Sequence, residues 1–272
     1  MIFLRLSGGL GNQIFQLGAS MLLAKRSGAS RLVIDDSFLN NYQAKRSNDL
    51  CKFFDLKKVG IKVEFSKVSL AKYRLPKILP LRFSSWPLVS DKNFQSALQS
   101  TIDRVRYLDG YFQTCLSQKN FDDIRSLLVS ISTLAENQLD PSICVIHIRG
   151  GDFLKLGLDS VAPPSYYYSA IHLMLTRYNI HHFKVITDDV NYAKRIMSFQ
   201  DLSYEISSND IIADFNTIAS AQRRIISNST FALWASALGE LRDSIVICPR
   251  YLMPGLVRPF DLPAEYLCAE AQ

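Results

Sequence analysis

The chain lacks any run of the roughly 18–20 apolar residues needed to span a bilayer; its best candidates break at Lys25 and at His172. A soluble or peripheral protein is expected. The N-terminus carries no basic n-region, long apolar h-region or small-residue cleavage site, so no secretion signal is visible. Cysteine is scarce: Cys51, Cys115, Cys144, Cys248 and Cys268 are odd in number and widely spaced, with no C-x-x-C pair. They read as buried thiols in a reducing compartment, here the cytoplasm, rather than as a disulfide framework. Gly/Ser, Gln/Asn and Pro-rich tracts are absent, which removes the disordered, fibrous and low-complexity classes. Neither sign of charge dominates; the formal net charge of +6 favours an anionic ligand or surface without identifying either. What remains is 272 residues, 48% apolar, enough for two compact halves that each bury a core.

The order of elements specifies an α/β protein. Residues 2–6 form a short apolar strand, SGGLGNQ a turn, the following residues an amphipathic helix, and RLVIDD a second strand. That is the opening of a parallel sheet. Residues 40–100, rich in basic side chains and prolines, are expected to hold helices and loops. VRYLDGYFQ then reads as a buried strand and NFDDIRSLLVSIS as a helix. The polar stretch AENQLDPS marks a boundary, dividing the chain into an N-terminal domain over 1–138 and a C-terminal domain over 139–272. Beyond it strands and helices alternate again: ICVIHI, PPSYYYSAIHLMLTRY, HFKVIT, YAKRIMSF, SYEIS, DFNTIASAQ, RRIISN, TFALWASALGE and SIVICPRYL. The fold class is therefore two doubly wound, Rossmann-like units.

Four short motifs carry polar chemistry where strands end or helices begin. Gly8, Gly9, Gly11, Asn12 and Gln13 lie in the first strand-to-helix turn, where exposed amides make an anion site. A dinucleotide fingerprint, with Asp35 or Asp36 on the ribose, fails at its third glycine, because that place is Ile14. HIRGGDF supplies His147, Arg149 and Asp152; the arginine's planar fork suits phosphate, and Gly150 and Gly151 allow close backbone approach. In SNST, Ser229 and Thr230 are either ordinary helix caps or hydroxyls for a pyrophosphate. Asp188, in TDD, could accept hydrogen bonds from a ribose or a guanine; without a further ligand at suitable spacing, the paired acids do not suggest a metal. Together the four motifs point to a nucleotide-sugar cleft.

GGLGNQIFQ, YLDGYFQ, HIRGGDF, TDD and SNSTFALWASAL, in this order and at these separations, resemble the α1,2-fucosyltransferases of glycosyltransferase family 11. The resemblance covers about residues 1–255, with 40–100 poorly matched. It implies a GT-B-like pair of Rossmann-type domains facing a cleft, GDP-β-L-fucose as donor, a galactose-ended glycan as acceptor, and inverting transfer without metal or other cofactor. Carried over, Arg149 would bind the β-phosphate, His147 would brace the nucleotide, Asp188 would touch the guanosine, and Ser229 and Thr230 would hold phosphate oxygens. Gly9, Gly11, Asn12 and Gln13 would form the loop contributed by the first, acceptor-side domain. Asp152 is the first candidate for the base and Asp159 the second. Two departures stand out. The pattern H-x-R-R-x-D has Gly150 at its second arginine, and S-x-F-S-W-W reads Ser229, Phe231, Ala232, Leu233 and Trp234.

The expected setting is a bacterial cytoplasm and the synthesis of an O-antigen or similar surface glycan on a lipid carrier, with no nucleic-acid partner. Lys62, Lys67, Lys72, Arg74, Lys77 and Arg82 offer either a peripheral contact with anionic lipid or a solvated face. Three alternatives stay open: a fucosyltransferase acting on another hydroxyl, a weakly catalytic nucleotide-sugar-binding protein, motivated by Gly150, and a nicotinamide-dependent dehydrogenase resting on Asp35.

Overall fold

A computed structural model describes residues 1–41, 46–66, 88–100, 105–134, 137–199, 201–207, 210–239, 243–262 and 265–268, with 40, 41 and 265–268 described by backbone alone. Lys67, Lys72, Arg74, Lys77 and Arg82, five of the six basic residues considered for lipid contact, lie outside the described residues. The chain divides into two compact units, Met1–Thr133 and Leu134–Gln272.

The first unit contains β1 (Ile2–Arg5), α1 (Leu10–Ser27), β2 (Arg31–Asp35), β3 (Lys62–Ser66), β4 (Leu88–Val89), α2 (Phe94–Gln99), β5 (Arg106–Leu108) and α3 (Gln118–Ile131). Its sheet is parallel throughout, in the order β3-β2-β1-β5-β4. β1 is central and covered on both faces, which is why it reads as an unbroken apolar run. α1 ends where Gly28 adopts a left-handed conformation and donates its N–H to Ala24 O, with Lys25 and Arg26 favourably placed in the negative last turn. β3 corrects the expectation of helices and loops alone over 40–100. It is an edge strand whose Phe65 is exposed and whose Lys62 pairs with Glu64, so the alternation that marks a half-buried strand is weak.

The second unit contains β6 (Ile143–Ile148), α4 (Gly151–Lys155), α5 (Pro164–Tyr178), β7 (His182–Thr187), α6 (Val190–Met197), β8 (Ser203–Ser207), α7 (Ile211–Ser220), β9 (Arg223–Ile225), α8 (Thr230–Leu238), β10 (Ile245–Cys248), β11 (Tyr251–Met253), β12 (Leu256–Val257) and β13 (Glu265–Cys268). The six main strands are parallel, in the order β13-β10-β9-β6-β7-β8. This is the doubly wound order in which the chain starts centrally, winds one way and then returns to wind the other. The strand expected to run through SIVICPRYL is split: Pro249 has no N–H for a ladder, so β10 stops at Cys248, and β11 and β12 form a separate antiparallel hairpin. The core joins Cys144, Ile146 and Ile148 of β6 to Tyr166, Tyr167, Ile171 and Met174 of α5. Tyr166 Oη lies 2.7 Å from Ile226 O and 3.0 Å from Ile247 O, so its single proton serves the ends of two strands.

Arg224 on β9 is wholly buried. Its guanidinium donates to Ala221 O at 2.5 Å, Ser236 O at 2.7 Å and Ala219 O at 3.4 Å, and also to Gly239 O. These carbonyls belong to the C-terminal ends of α7 and α8, which have no intrahelical donors and carry the negative ends of the helix dipoles. Gly239 is required at this junction because a Cβ there would run into Ala219 O. Arg224→Met is expected to strand buried carbonyls and to cost about 3 kcal/mol or more, read as a lower urea midpoint; Arg224→Lys recovers only part of it, because one ammonium cannot span the fork.

Candidate active site

In an open parallel sheet, the crevice beyond the strand ends opens where the winding direction reverses. In the second unit that point lies between β6 and β9. β6 delivers His147 and Arg149, and the chain leaving β9 delivers Ser227 through Thr230. The two sides meet directly, with His147 Nδ1 2.9 Å from Ser227 Oγ. Ser227 Oγ also accepts the Ser229 N–H at 3.2 Å. His147 is buried, with Phe231 beside its ring at a centroid distance of 6.0 Å. Burial, followed by the nearby Arg149 charge, pushes its pKa down to about 3. The imidazole is therefore neutral and braces the two strand ends.

Arg149 lies at the centre of an ion-pair cluster. Its Nη1 is 2.9 Å from Asp188 Oδ2 and its Nη2 is 2.7 Å from Asp152 Oδ1. Asp188 also holds the backbone, since its Oδ1 accepts the Gly150 N–H at 2.9 Å. Asp189 continues the clamp, accepting the Gly151 N–H at 3.4 Å and capping α6 through the Tyr192 N–H at 3.0 Å. The TDD and RGG turns are thus fastened together by carboxylates on backbone amides. The fastening leaves no room for side chains in the second turn. A Cβ on Gly150 would lie 2.5 Å from Asp189 Cβ, and one on Gly151, whose φ is +45°, would lie 2.6 Å from Asp188 Oδ2. Glycine at the position of the family's second arginine is accounted for by this packing.

Ser229 is the N-cap of α8, yet its side chain makes no capping hydrogen bond, and Thr230 is the first helical residue. Asn228 ties this turn down, donating to Leu252 O at 3.1 Å and Leu158 O at 3.4 Å. Asp159 lies in the short 3-10 turn Leu158–Val161 that follows α4.

The first unit has its own reversal point, between β1 and β5. Gly9 is the N-cap of α1 and a Cβ on it would meet only open space, whereas Gly11 is buried in the first helical turn. Asn12 Oδ1 accepts from Gln113 Nε2 at 2.8 Å. Gln13 is buried, and its Nε2 donates to Gly8 O at 3.1 Å and Ser47 O at 3.0 Å, bracing two loops. Gln16 adds a further tie, from its Nε2 to Ser7 Oγ at 2.8 Å and to Gly110 O at 3.1 Å. GGLGNQIFQ and YLDGYFQ are brought together in this way. Asp35 and Asp36, considered for a ribose, have local partners: Asp35 Oδ1 accepts from Ser37 N and Oγ, and Asp36 Oδ2 accepts from Asn48 Nδ2 at 3.0 Å.

His147, Ser227 and Ser229 form one hydrogen-bonded group, and Arg149, Asp152 and Asp188 form an ion-paired group at the end of the same strand; in the first unit Asn12 and Gln13 brace the turn in which Gly9 caps α1 and Gly11 lies in its first helical turn. The motifs SNST, TDD, GGLGNQIFQ and YLDGYFQ contain Ser227, Asp189, Gln16 and Gln113, but sequence reasoning assigns none of the four its place in the site. For Ser227 a signal exists, a hydroxyl at a strand end immediately before the polar cap of a helix. Among the described residues, no group of three or more His, Cys, Asp or Glu side chains is arranged to hold a metal ion.

Comparison with known proteins defines the class. The family model of glycosyl transferase family 11 matches residues 2–253, and the chain belongs to that family. Among curated relatives, an O-antigen biosynthesis glycosyltransferase, WbnK, of Escherichia coli is 25% identical over 92% of this chain and 94% of its own. An α-1,2-colitosyltransferase of Escherichia coli is also 25% identical, over 92% and 91%. Among solved structures, the fucosyltransferase NodZ from Bradyrhizobium superposes with a TM-score of 0.53 at 15% identity, covering 87% of this chain and 92% of NodZ. POFUT1 in complex with GDP-fucose superposes with a TM-score of 0.52 at 10% identity, over 91% and 96%. The fold class is accordingly GT-B-like, with two parallel-sheet α/β units.

The state of His147 has a measurable consequence. The folded protein holds it neutral down to about pH 3, while an unfolded chain protonates it near pH 6.5. Between those values the unfolded state binds more protons, so the stability from a neutral His147 is complete above about pH 6.5 and is lost as pH falls through the window. His147→Gln is expected to show a shallower fall in urea midpoint than the parent between about pH 6.5 and 4.5.

Proposed function

We propose that the protein is an inverting glycosyltransferase that moves L-fucose from GDP-β-L-fucose to the 2-hydroxyl of a terminal β-galactose in an O-antigen or surface polysaccharide. The observation that carries this reading is the arginine fork at the reversal point of the second sheet, beside a helix start without a side-chain cap. A planar guanidinium beside the positive pole of a helix is what a leaving diphosphate needs. Support also comes from the family, from a relative named for O-antigen biosynthesis and another named for α-1,2 transfer, and from a like-folded structure in complex with GDP-fucose.

In this mechanism the bond from sugar C1 to the β-phosphate oxygen breaks, and its electron pair leaves with GDP. Arg149 and the α8 amides stabilise the charge as it develops, the preorganised electrostatics on which such reactions depend most. The acceptor oxygen attacks C1 from the opposite face, turning a β-linked donor into an α-linked product, and its proton passes to the Asp152 carboxylate. The guanidinium supplies the positive charge that a metal would otherwise provide. Gly9, Gly11, Asn12 and Gln13 belong to the acceptor-side domain in this reading, and the acceptor is presented on a lipid carrier in the cytoplasm. Among the described residues, no helix is long and apolar enough to cross a membrane; contact with the carrier's membrane is peripheral in this reading. The colitosyltransferase relative supports a second reading, in which the donor sugar is colitose instead of fucose.

Incubation with GDP-fucose and a panel of β-galactosides in EDTA is expected to give α-fucose on the galactose 2-hydroxyl, read by NMR, at the rate seen without chelator. A rate lost in EDTA and restored by manganese would remove the metal-free mechanism. Transfer of colitose alone would select the second reading. Arg149→Ala is expected to cut turnover about 10²–10³-fold while leaving the melting temperature near that of the parent, because the lost pairs are partly exposed.

A further inference from the structure

Arg149 faces carboxylates on two sides, and with Asp189 adjoining Asp188 the formal charge of the cluster is negative. A diphosphate cannot simply be added to such a site, since its charge would meet the acids that already hold the arginine. One acid has to yield, and the two are not held alike. Asp188 leaves the end of β7, a strand paired on both sides, and its carboxylate is fixed twice, by Arg149 at one oxygen and by the Gly150 N–H at the other. Displacing it breaks a backbone hydrogen bond and disturbs a turn packed too closely to admit a Cβ. Asp152 is on α4, a five-residue helix with no buried residue, and its side chain is 45% exposed against 32% for Asp188.

We propose that Asp188 is a positioning residue that fixes the Arg149 fork, and that Asp152 occupies the fork as a stand-in anion which the donor's diphosphate displaces. This rests on the reading of the site as a GDP-sugar site. It gives Asp188 a different role from the guanosine contact implied by the family resemblance. It also orders events: Asp152 leaves the arginine only as the donor arrives, so the carboxylate is released to accept a proton when there is a donor to react with.

The test is calorimetric titration of GDP into the full chain and two variants. Asp152→Asn removes the competing charge while keeping the shape. An exposed ion pair is worth about 0.2–1 kcal/mol, so GDP should bind up to about fivefold more tightly. Asp188→Asn should weaken GDP about tenfold at unchanged stoichiometry, and Asp188→Glu, with its longer side chain, should not restore it. A purely structural role for Asp188 would lower the bound fraction and the melting temperature while leaving the Kd of the folded protein unchanged, and that result overturns the positioning role. Unchanged or weaker GDP binding by Asp152→Asn overturns the displacement. Absence of GDP binding by the parent, with another nucleotide bound instead, overturns the GDP-sugar reading itself, an outcome distinct from either of the others.

Discussion

A single buried cation determines how the second unit can be built. Arg224 gathers the carbonyl ends of α7 and α8 beneath β9, where no water could satisfy them. This fixes α8 from its C-terminal end, and the opposite end of the same helix carries Ser229 and Thr230. A helix with its negative pole compensated by a guanidinium still presents its positive pole beside the candidate site. The close approach that lets one arginine reach both helices depends on Gly239. Stability and site geometry therefore share one constraint, although Arg224 touches none of the candidate site residues by a described hydrogen bond.

The arginine that faces the site is held by the opposite strategy. Arg224 is buried and bonded to neutral carbonyls, whereas Arg149 is partly exposed and bonded to carboxylates. Buried neutral partners make a permanent fixture, because removing any one leaves a desolvated group without compensation. Exposed charged partners compete with water and ions and can be exchanged at little cost. The glycines of the RGG turn follow from this arrangement. Asp189 packs against Gly150 while its own carboxylate caps α6, so a larger residue at 150 would have to displace a helix cap. A position that looks like the loss of a charge in one dimension is, in three, the space that brings two acidic residues against the turn.

The legible parts of the chain are those where periodicity and burial agree. β1 and β6 are apolar and buried along most of their length, β7 is buried through its second half, and α5 and α8 follow polar or proline-bearing starts. β3 escapes a reading of the sequence because its lysine and exposed Phe65 belong to a sheet edge, where alternation carries little energetic weight. α4 escapes it because five residues without a buried face leave no period to detect. At the site, the residue types are visible in the sequence and their partners are not. Nothing in the spacing of His147 and Ser227, eighty positions apart, indicates a hydrogen bond, since it arises only when β9 is laid beside β6. Arg224 is silent for the same reason, as a single basic residue in a short strand gives no sign of the helix ends it will meet.

The two units solve one problem with different chemistry. Each must hold a glycine-bearing turn in place just beyond the reversal point of its sheet. In the first unit the ties are largely amides: Gln13 to Gly8 and Ser47, Gln16 to Gly110, and Gln113 to Asn12. In the second they are largely ionic, from Asp188 and Asp189 to the RGG turn and from Arg149 to its two acids. Amide ties keep their strength at any pH and salt, so they suit a turn that has only to stay still. Ionic ties concentrate field and can be rearranged by an incoming charge, so a charged ligand can do work on the second turn that it could not do on the first. The second turn is therefore the one that an anionic ligand could rearrange, and that difference follows from which side chains brace each turn.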